Sequence, residues 1–541
     1  MVIILIVYVV LIWNQALALD RKDVESFLSY LNSNKFCSES FIKTFKNTPF
    51  EELSRTLYLD SCNGSLTAPP KNDYGKYLYA KKLYRKDPEK ALPLLREAFK
   101  KGIQEEEIIL LLGKNWKKLL TPEAVREKIK RLIYWKNFDE ALFYLDFIKG
   151  SPYFYYLSGL LEIKRGNKAL AKELLKESKI PESFLSLIYI EKELPGKVYY
   201  FKKLLSSTAP KWEKKKAAVY LFDKLLYNDL GLFRKELPLL KEIDGKLYRK
   251  FKVRYLIYTG KEREALRELE KLSGSQLEAW KIALKRKLGE KAEIKQNRVN
   301  FYTLLLGRET EIVKIGKPAD YLKDPGLKLL LESGKCYTLT LIEEKTPQMA
   351  LALNLCGDYK QAIKLASKLR KSIDRNPFLL KVLYPAPPAF KGDIFALSIA
   401  RQESLFNHRA YSRSGAIGLM QIMPKTGSYI AKKLSKKDFK VSNLFDPEIN
   451  TLFGSYYIHS LIKRFKLFPL AAAAYNGGPS RVEKALKLYG KIKRPEDLIL
   501  FNDAYIPFKE TRDYVRKTYV NLYYYSLLYG KGNEWKIFSE H

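Results

Sequence analysis

The chain has 541 residues, 46% of them hydrophobic, with 98 Lys and Arg against 60 Asp and Glu and a formal net charge of +38. So much apolar content excludes wholesale disorder, and 28 Gly with 24 Pro argue against a loop-rich all-β protein. The charge admits nucleic acid, an anionic membrane or an anionic polymer as partner; a Lys-heavy thermophile surface accounts for it equally well without any partner.

Residues 2–13 read VIILIVYVVLIW, and the small-residue site Ala16-Leu17-Ala18 follows before Asp20. This pattern predicts a secretory signal peptide over 1–18. The segment before the apolar run lacks Lys or Arg, so an uncleaved anchor is the alternative, although the run is short for a spanning helix. No Cys follows it, so a lipid-modified form has no support. Export argues against nucleic acid as partner.

The four cysteines fall in two sequence-near pairs. In an oxidising compartment, Cys37–Cys62 and Cys336–Cys356 are the expected disulfides among three connectivities, against four buried thiols. Their spacing does not suggest zinc, and His408, His459 and His541 are too scattered for a metal cluster. No metal and no cofactor is expected.

Residues 20–70 read as a small helical cap closed by the turns Asn63-Gly64 and Ala68-Pro69-Pro70. A loose repeat then begins. Short polar turns at Asp87, Asn137, Gly166-Asn167, Gly260-Lys261 and Gly357-Asp358 each open a helix with a small residue early on its inner face: Ala91, Ala141, Ala169, Ala265 and Ala362. Aromatic-rich helices lie between, which is the helix-turn-helix solenoid pattern, close to tetratricopeptide repeats but irregular. Most of the tyrosines are expected to fill the layers between helices. The solenoid is placed at 19–295, with a less regular helical linker region at 296–383. Tyr384-Pro385-Ala386-Pro387-Pro388 interrupts all helical pattern, and the segment from 384 to 541 has the size of one further domain.

In that segment, Ile394 to Ala400 is apolar on nearly every side, the pattern of a helix buried all round. Glu403 lies four residues after Ile399 and eight after Phe395, so its carboxyl continues the apolar stripe. Burial and the negative end of the helix both disfavour its charged form, which suits a general acid near neutral pH. The account without a function pairs it with Arg401 or another Arg. A loop with Gly415, Gly418 and Gln421 follows, in which glycines allow close main-chain approach to a ligand. Pro424 and Asp446-Pro447 mark helix starts, a small-residue helix runs from Leu470 to Ala474, and the last helix is Tyr-rich. Glu403, Gln421 with Met423, Tyr475 with Asn476, and Glu510 each put polar groups at a helix end or in a loop, as in a cleft built by loops on a helical scaffold.

Residues 400–424 resemble the signature of the soluble lytic transglycosylases, a lysozyme-like family. The matching positions are Glu403-Ser404, Asn407, Ala410, Ser412, Gly415-Ala416, Gly418-Leu419-Met420-Gln421 and Pro424. Asp446-Pro447 with Asn450 and Gly454, Ala474-Tyr475-Asn476 and Ile506-Pro507-Phe508 with Glu510-Thr511 extend the resemblance over roughly 384–530. The family often has Pro where His408 stands and Ala where Gly477 stands, and His408-Arg409 adds charge near the acid. The resemblance implies an all-α fold, a superhelical solenoid followed by a lysozyme-like catalytic domain at 384–541. It implies cleavage of the β-1,4 bond between N-acetylmuramic acid and N-acetylglucosamine in peptidoglycan, leaving a 1,6-anhydro product. Glu403 is then acid and later base. Tyr475 orients the site, Glu510 steadies developing charge, and Ser412, Gln421, Met423 and Asn476 contact the glycan. With the export signal this places the protein in the periplasm, with glycan strands and cell-wall enzymes as partners and the membrane only as a peripheral or outer-membrane association. Two alternatives stand: a water-using muramidase needing a second carboxylate such as Asp446 or Glu448, and a non-catalytic peptidoglycan-binding scaffold.

Overall fold

The computed structural model describes residues 26–538 apart from 28, 31–36, 49–50, 63–65, 296–297, 308–314, 333, 335, 337–338, 340–344 and 413. The expected leader at 1–18 and the Asn63-Gly64 turn lie outside the described residues. Among those described, regular structure is helical, and strand pairing is limited to the isolated bridges Tyr411–Ile417 and Ile417–Ile422. The all-α expectation holds.

The repeat turns work through their caps. The side chains of Asp87, Asn137, Asn167 and Asp358 each accept a hydrogen bond from the backbone N–H three residues on, at 3.1, 3.4, 3.4 and 3.2 Å. At the fifth turn Lys261 occupies the cap position without a side-chain bond. Ala91, Ala141, Ala265 and Ala362 are fully buried; in the third repeat it is Ala171, not Ala169, that faces inward. Small residues bring paired helices close. Gly159, in helix Pro152–Arg165, shows why: a Cβ there would overlap the Leu175 side chain of helix Lys168–Ser178.

The chain groups into two compact units, Met1–Ala209 with Lys317–Leu379, and Pro210–Gly316 with Leu380–His541. In the first, helices from Glu51 to Ser206 pack as layers, with Tyr77, Phe99, Ile129 and Leu157 in one continuous core. Both disulfides lie here, Cys37–Cys62 and Cys336–Cys356, in the pairing expected.

The second unit carries helices α1 (Lys211–Asn228), α2 (Gly245–Tyr258), α3 (Ser275–Lys287), α4 (Ile394–Glu403), α5 (Pro447–Phe465), α6 (Phe468–Gly477), α7 (Pro479–Tyr489) and α8 (Lys509–Tyr529). Two buried ionic clusters tie its parts together. Asp223 of α1 accepts from Arg254 of α2 at 2.6 Å and from Arg512 of α8 at 3.1 and 2.9 Å. Asp503, in a π-helical turn before α8, accepts from Trp280 at 2.6 Å, Tyr302 at 2.7 Å and Gln276 at 3.0 Å, and from Arg516 of α8 at 3.0 and 3.2 Å. Burial alone would raise the Asp503 carboxyl, but the Arg516 charge and those donors hold it well below the usual carboxylate range. Helix α8 also reaches α4: Asn521 donates to the Ser398 carbonyl at 3.0 Å and accepts from Arg401 at 3.1 Å.

Candidate active site

Helix α4 sets the key carboxyl. Asp393 caps it, accepting from the N–H groups of Phe395 and Ala396 at 3.1 Å each. Ala396, Leu397, Ser398, Ile399 and Ala400 are completely buried. Asp393 is itself held by the Ser455 hydroxyl and by His459 at 3.0 Å, both from α5. The helix stops at Glu403, where Ser404 turns back to donate to the Leu419 carbonyl at 2.6 Å. Leu405 and Phe406 then take left-handed backbone, φ 52° and 63°, a strained choice for branched and aromatic residues. Phe406 is buried and its ring packs edge-on to Phe390 at 5.5 Å.

The Glu403 carboxylate accepts the Tyr514 hydroxyl at 2.7 Å. No cation pairs with it among the described residues. Arg401 is used elsewhere: it donates to the Leu383 carbonyl at 2.7 Å and to Asn521, and stacks over the Tyr384 ring at 4.3 Å. The ion-paired account of Glu403 therefore fails for Arg401. Burial, opposed by the Tyr514 hydrogen bond and reinforced by the negative charge of Glu510, pushes the Glu403 carboxyl up to about 7. A group so poised populates both its protonated and ionised forms near neutral pH, so it can give up a proton and then act as a base.

The glycine loop beside it is held from below. Asn450 of α5, fully buried, accepts from the Met420 N–H at 2.8 Å and donates to the carbonyls of Ile417 and Leu444 at 2.9 and 2.7 Å. Gly418 has φ 80°, and a Cβ there would overlap Asn450 and the Leu444 carbonyl. A Cβ on Gly454 would overlap Met420. Tyr475, at the end of α6, donates to the Met420 carbonyl at 2.8 Å. Its hydroxyl is held far above the usual tyrosine range by burial and by the nearby Glu403.

A cavity of about 490 Å³ opens at Glu403, lined by Gln402, Glu403, Asn476, Lys509, Glu510, Asp513, Tyr514 and Lys517. Of the residues singled out from sequence, Glu403, Asn476 and Glu510 meet in this cavity. Asn476 is fixed there by Thr511, which donates to its side-chain oxygen at 2.8 Å. Ser412, Gln421 and Met423 belong to the glycine loop and are not among the lining residues. Ser412 accepts the Ala416 N–H at 2.8 Å, Gln421 donates to the Ala410 and Gly418 carbonyls at 3.2 and 2.9 Å, and Met423 is 41% exposed. The sequence reading missed Tyr514, which touches the acid. The signal was there: Asp513, Tyr514 and Lys517 follow Glu510 at helical spacings of three, four and seven. A neighbouring hollow of about 460 Å³ is rimmed by Tyr429 and Tyr457, with the Tyr457 ring 5.3 Å from Tyr475.

Comparison with known proteins bears on the fold and on the segment that carries Glu403. Residues 394–497 match the transglycosylase SLT domain. The soluble lytic murein transglycosylases of Salmonella typhimurium and Escherichia coli are each 38% identical, over 141 and 140 residues, or 25% of this chain. The chain spans about a fifth of the length of these curated relatives, 21% of each. Among solved structures, the 70 kDa soluble lytic transglycosylase of Escherichia coli superposes with a TM-score of 0.52 over 96% of this chain and 93% of its own, at 18% identity. The complex of the 70 kDa soluble lytic transglycosylase with bulgecin A gives 0.57 over 96% and 98%, also at 18% identity. This likeness establishes the fold. Residues 394–497, which carry Glu403, match the transglycosylase SLT domain, and they are set in an all-helical chain that shares the fold of the soluble lytic transglycosylases.

Proposed function

We propose that the protein is an exported peptidoglycan lytic transglycosylase, with residues 384–541 as its catalytic module, 19–295 as a helical solenoid and 296–383 as the region between them. The observation that carries this reading is a buried carboxyl, Glu403, raised to about 7 in a saccharide-sized cavity, bonded to a tyrosine and free of any ion pair among the described residues. Glu403 gives its proton to the bridging glycosidic oxygen as the bond from that oxygen to the muramyl C1 breaks. The substrate's own N-acetyl oxygen supports C1. The Glu403 carboxylate then takes the proton of the muramyl 6-hydroxyl as that oxygen bonds to C1. The acid is regenerated and no water is consumed.

In this scheme Tyr514 anchors the Glu403 carboxylate, Tyr475 braces the glycine loop against it, and Glu510 keeps its proton affinity high and faces positive charge that develops on the sugar. Ser412, Gln421, Met423 and Asn476 contact the glycan. Substrate assistance supplies what a second carboxylate would supply in an ordinary glycosidase. The water-using alternative has less support. Asp446 is the cap of α5, accepting from the Ile449 N–H at 2.9 Å, Glu448 is exposed, and neither lines the cavity. Periplasmic placement rests on the apolar run at 2–13 with its small-residue site, and the net charge of +38 suits an anionic wall polymer. The test is digestion of purified sacculi by the wild type and by Glu403→Gln. The wild type should release muropeptides lighter by one water than hydrolytic products, and the variant should lose cleavage by at least a hundredfold, as expected on removing a general acid, about 10²–10⁴. Hydrolytic masses, or full activity without the acid, would overturn the reading.

A further inference from the structure

Consecutive residues serve two cavities. Lys509 and Glu510 line the Glu403 cavity, while Pro507 and Phe508 line a second one of about 230 Å³. The second has an aromatic floor: Tyr258 lies 5.3 Å from Tyr227 and 4.9 Å from Tyr505, ring to ring. Its rim is cationic, with Lys224 of α1 and Arg481 and Lys484 of α7. Lys224 sits 5.0 Å and Arg481 5.3 Å from the centre of the same Phe508 ring, so two like charges are brought to one aromatic side chain. None of the three is ion-paired among the described residues. The one carboxylate in the lining, Asp223, is consumed by two buried arginines, Arg254 and Arg512, and that cluster carries a net positive charge itself.

Unpaired like charges gathered around a preformed apolar cup repel one another until an anion enters. A bare phosphate would satisfy the rim and leave the cup unused. A short peptide with a free carboxylate and small apolar side chains uses both. We propose that this cavity binds carboxylate-bearing peptide. On the reading above, that peptide is the stem attached to the glycan, so the chain holds its substrate at two points on either side of the Phe508–Lys509 step.

The probe is an L-Ala-γ-D-Glu dipeptide with two free carboxylates, titrated calorimetrically into the full chain. Saturable binding is expected, weakened at least tenfold by Lys484→Glu, weakened likewise by Lys224→Ala and retained in Lys484→Arg. Lys484 is exposed, and unchanged melting of each variant checks its fold. Lys484→Glu should also raise KM on peptide-bearing glycan strands and leave cleavage of peptide-free strands unaltered. Equal binding in all variants, or inorganic phosphate competing as well as the dipeptide, would overturn the proposal. The titration is repeated in Glu403→Gln, where it should be unchanged. A failure of the transglycosylase reading would show in product masses, and a failure of this proposal in the titration.

Discussion

If Glu403 is held protonated by its surroundings, the protein carries a stability cost at alkaline pH that one substitution removes. The carboxyl moves from 4.5 to about 7 on folding. At ~1.36 kcal/mol per pH unit, that difference is a ceiling of roughly 3 kcal/mol. A carboxyl whose folded value is raised costs nothing below its unfolded value. The cost grows as pH rises and is complete above about 7. Glu403→Gln abolishes the titration, and its amide oxygen can still accept the Tyr514 hydroxyl. The variant should therefore match the wild type at about pH 4.5 and exceed it by up to ~3 kcal/mol at about pH 8.5, a rise in melting temperature of several degrees at ~2–4 °C per kcal/mol for a unit of this size. Thermal unfolding of both proteins across that range, at constant ionic strength, measures it. A pH-independent difference, or a variant less stable at high pH, would mean that the site tolerates the carboxylate without penalty, and the assignment of Glu403 as the acid would fall with it.

Two further substitutions should move the alkaline limb of kcat/KM in opposite directions. Tyr514→Phe removes a donor that favours the carboxylate, so the limb should shift up by about one pH unit, whereas Glu510→Gln removes a negative charge and should shift it down. A common direction would contradict the electrostatics described for the cavity. At the other end of α4, His459 is raised from 6.5 and Asp393 lowered from 3.8, chiefly by their mutual hydrogen bond in the case of His459 and against the effect of burial in the case of Asp393. The His459 contribution is complete below its unfolded value and lost as pH rises through its higher folded value. That of Asp393 is present above 3.8 and lost as pH falls through its lower folded value. Relative to His459→Gln, the wild type should therefore gain most at about pH 5–6, by about 0.5–1 kcal/mol given a half-exposed imidazole, and lose that gain towards about pH 8. Melting curves of the two proteins over this range check it.

How legible all this was depended on how local each signal is. A cap and a small inward residue lie within one turn, so Asp87 with Ala91 or Asp358 with Ala362 could be read directly as paired-helix repeats. In the third repeat the turn is where it is expected, but the inward small residue is Ala171 and not Ala169, because both fit the pattern and only packing against Gly159 separates them. Glu403 was readable from the apolar stripe that leads to it and the loop from its glycines, whereas roles for Ser412, Gln421 and Met423 come only with the resemblance to the transglycosylase signature. Tyr514 lies 111 residues further on, among tyrosines that look alike; its spacing of four from Glu510 puts both on one helix face, but only the fold brings that face to the acid. The ties from Asp223 to Arg512 and from Trp280 to Asp503 span 289 and 223 residues. Charge and aromatic content say that such partners exist without saying which ones meet.

Those long-range ties bear on what can be cut out of the chain. Helix α8 brings Tyr514 and Glu510 to the acid, yet its Arg512 is neutralised by Asp223 of α1, and Asp503 just ahead of it accepts hydrogen bonds from Trp280, Tyr302 and Gln276. A fragment beginning near 384 would keep every residue of the Glu403 cavity and lose the counter-charge and donors that hold its scaffold. Stranding one partner of a buried ion pair costs about 3–5 kcal/mol, as much as many whole domains can spare. A piece that keeps the acid on its intact scaffold therefore also retains 210–316.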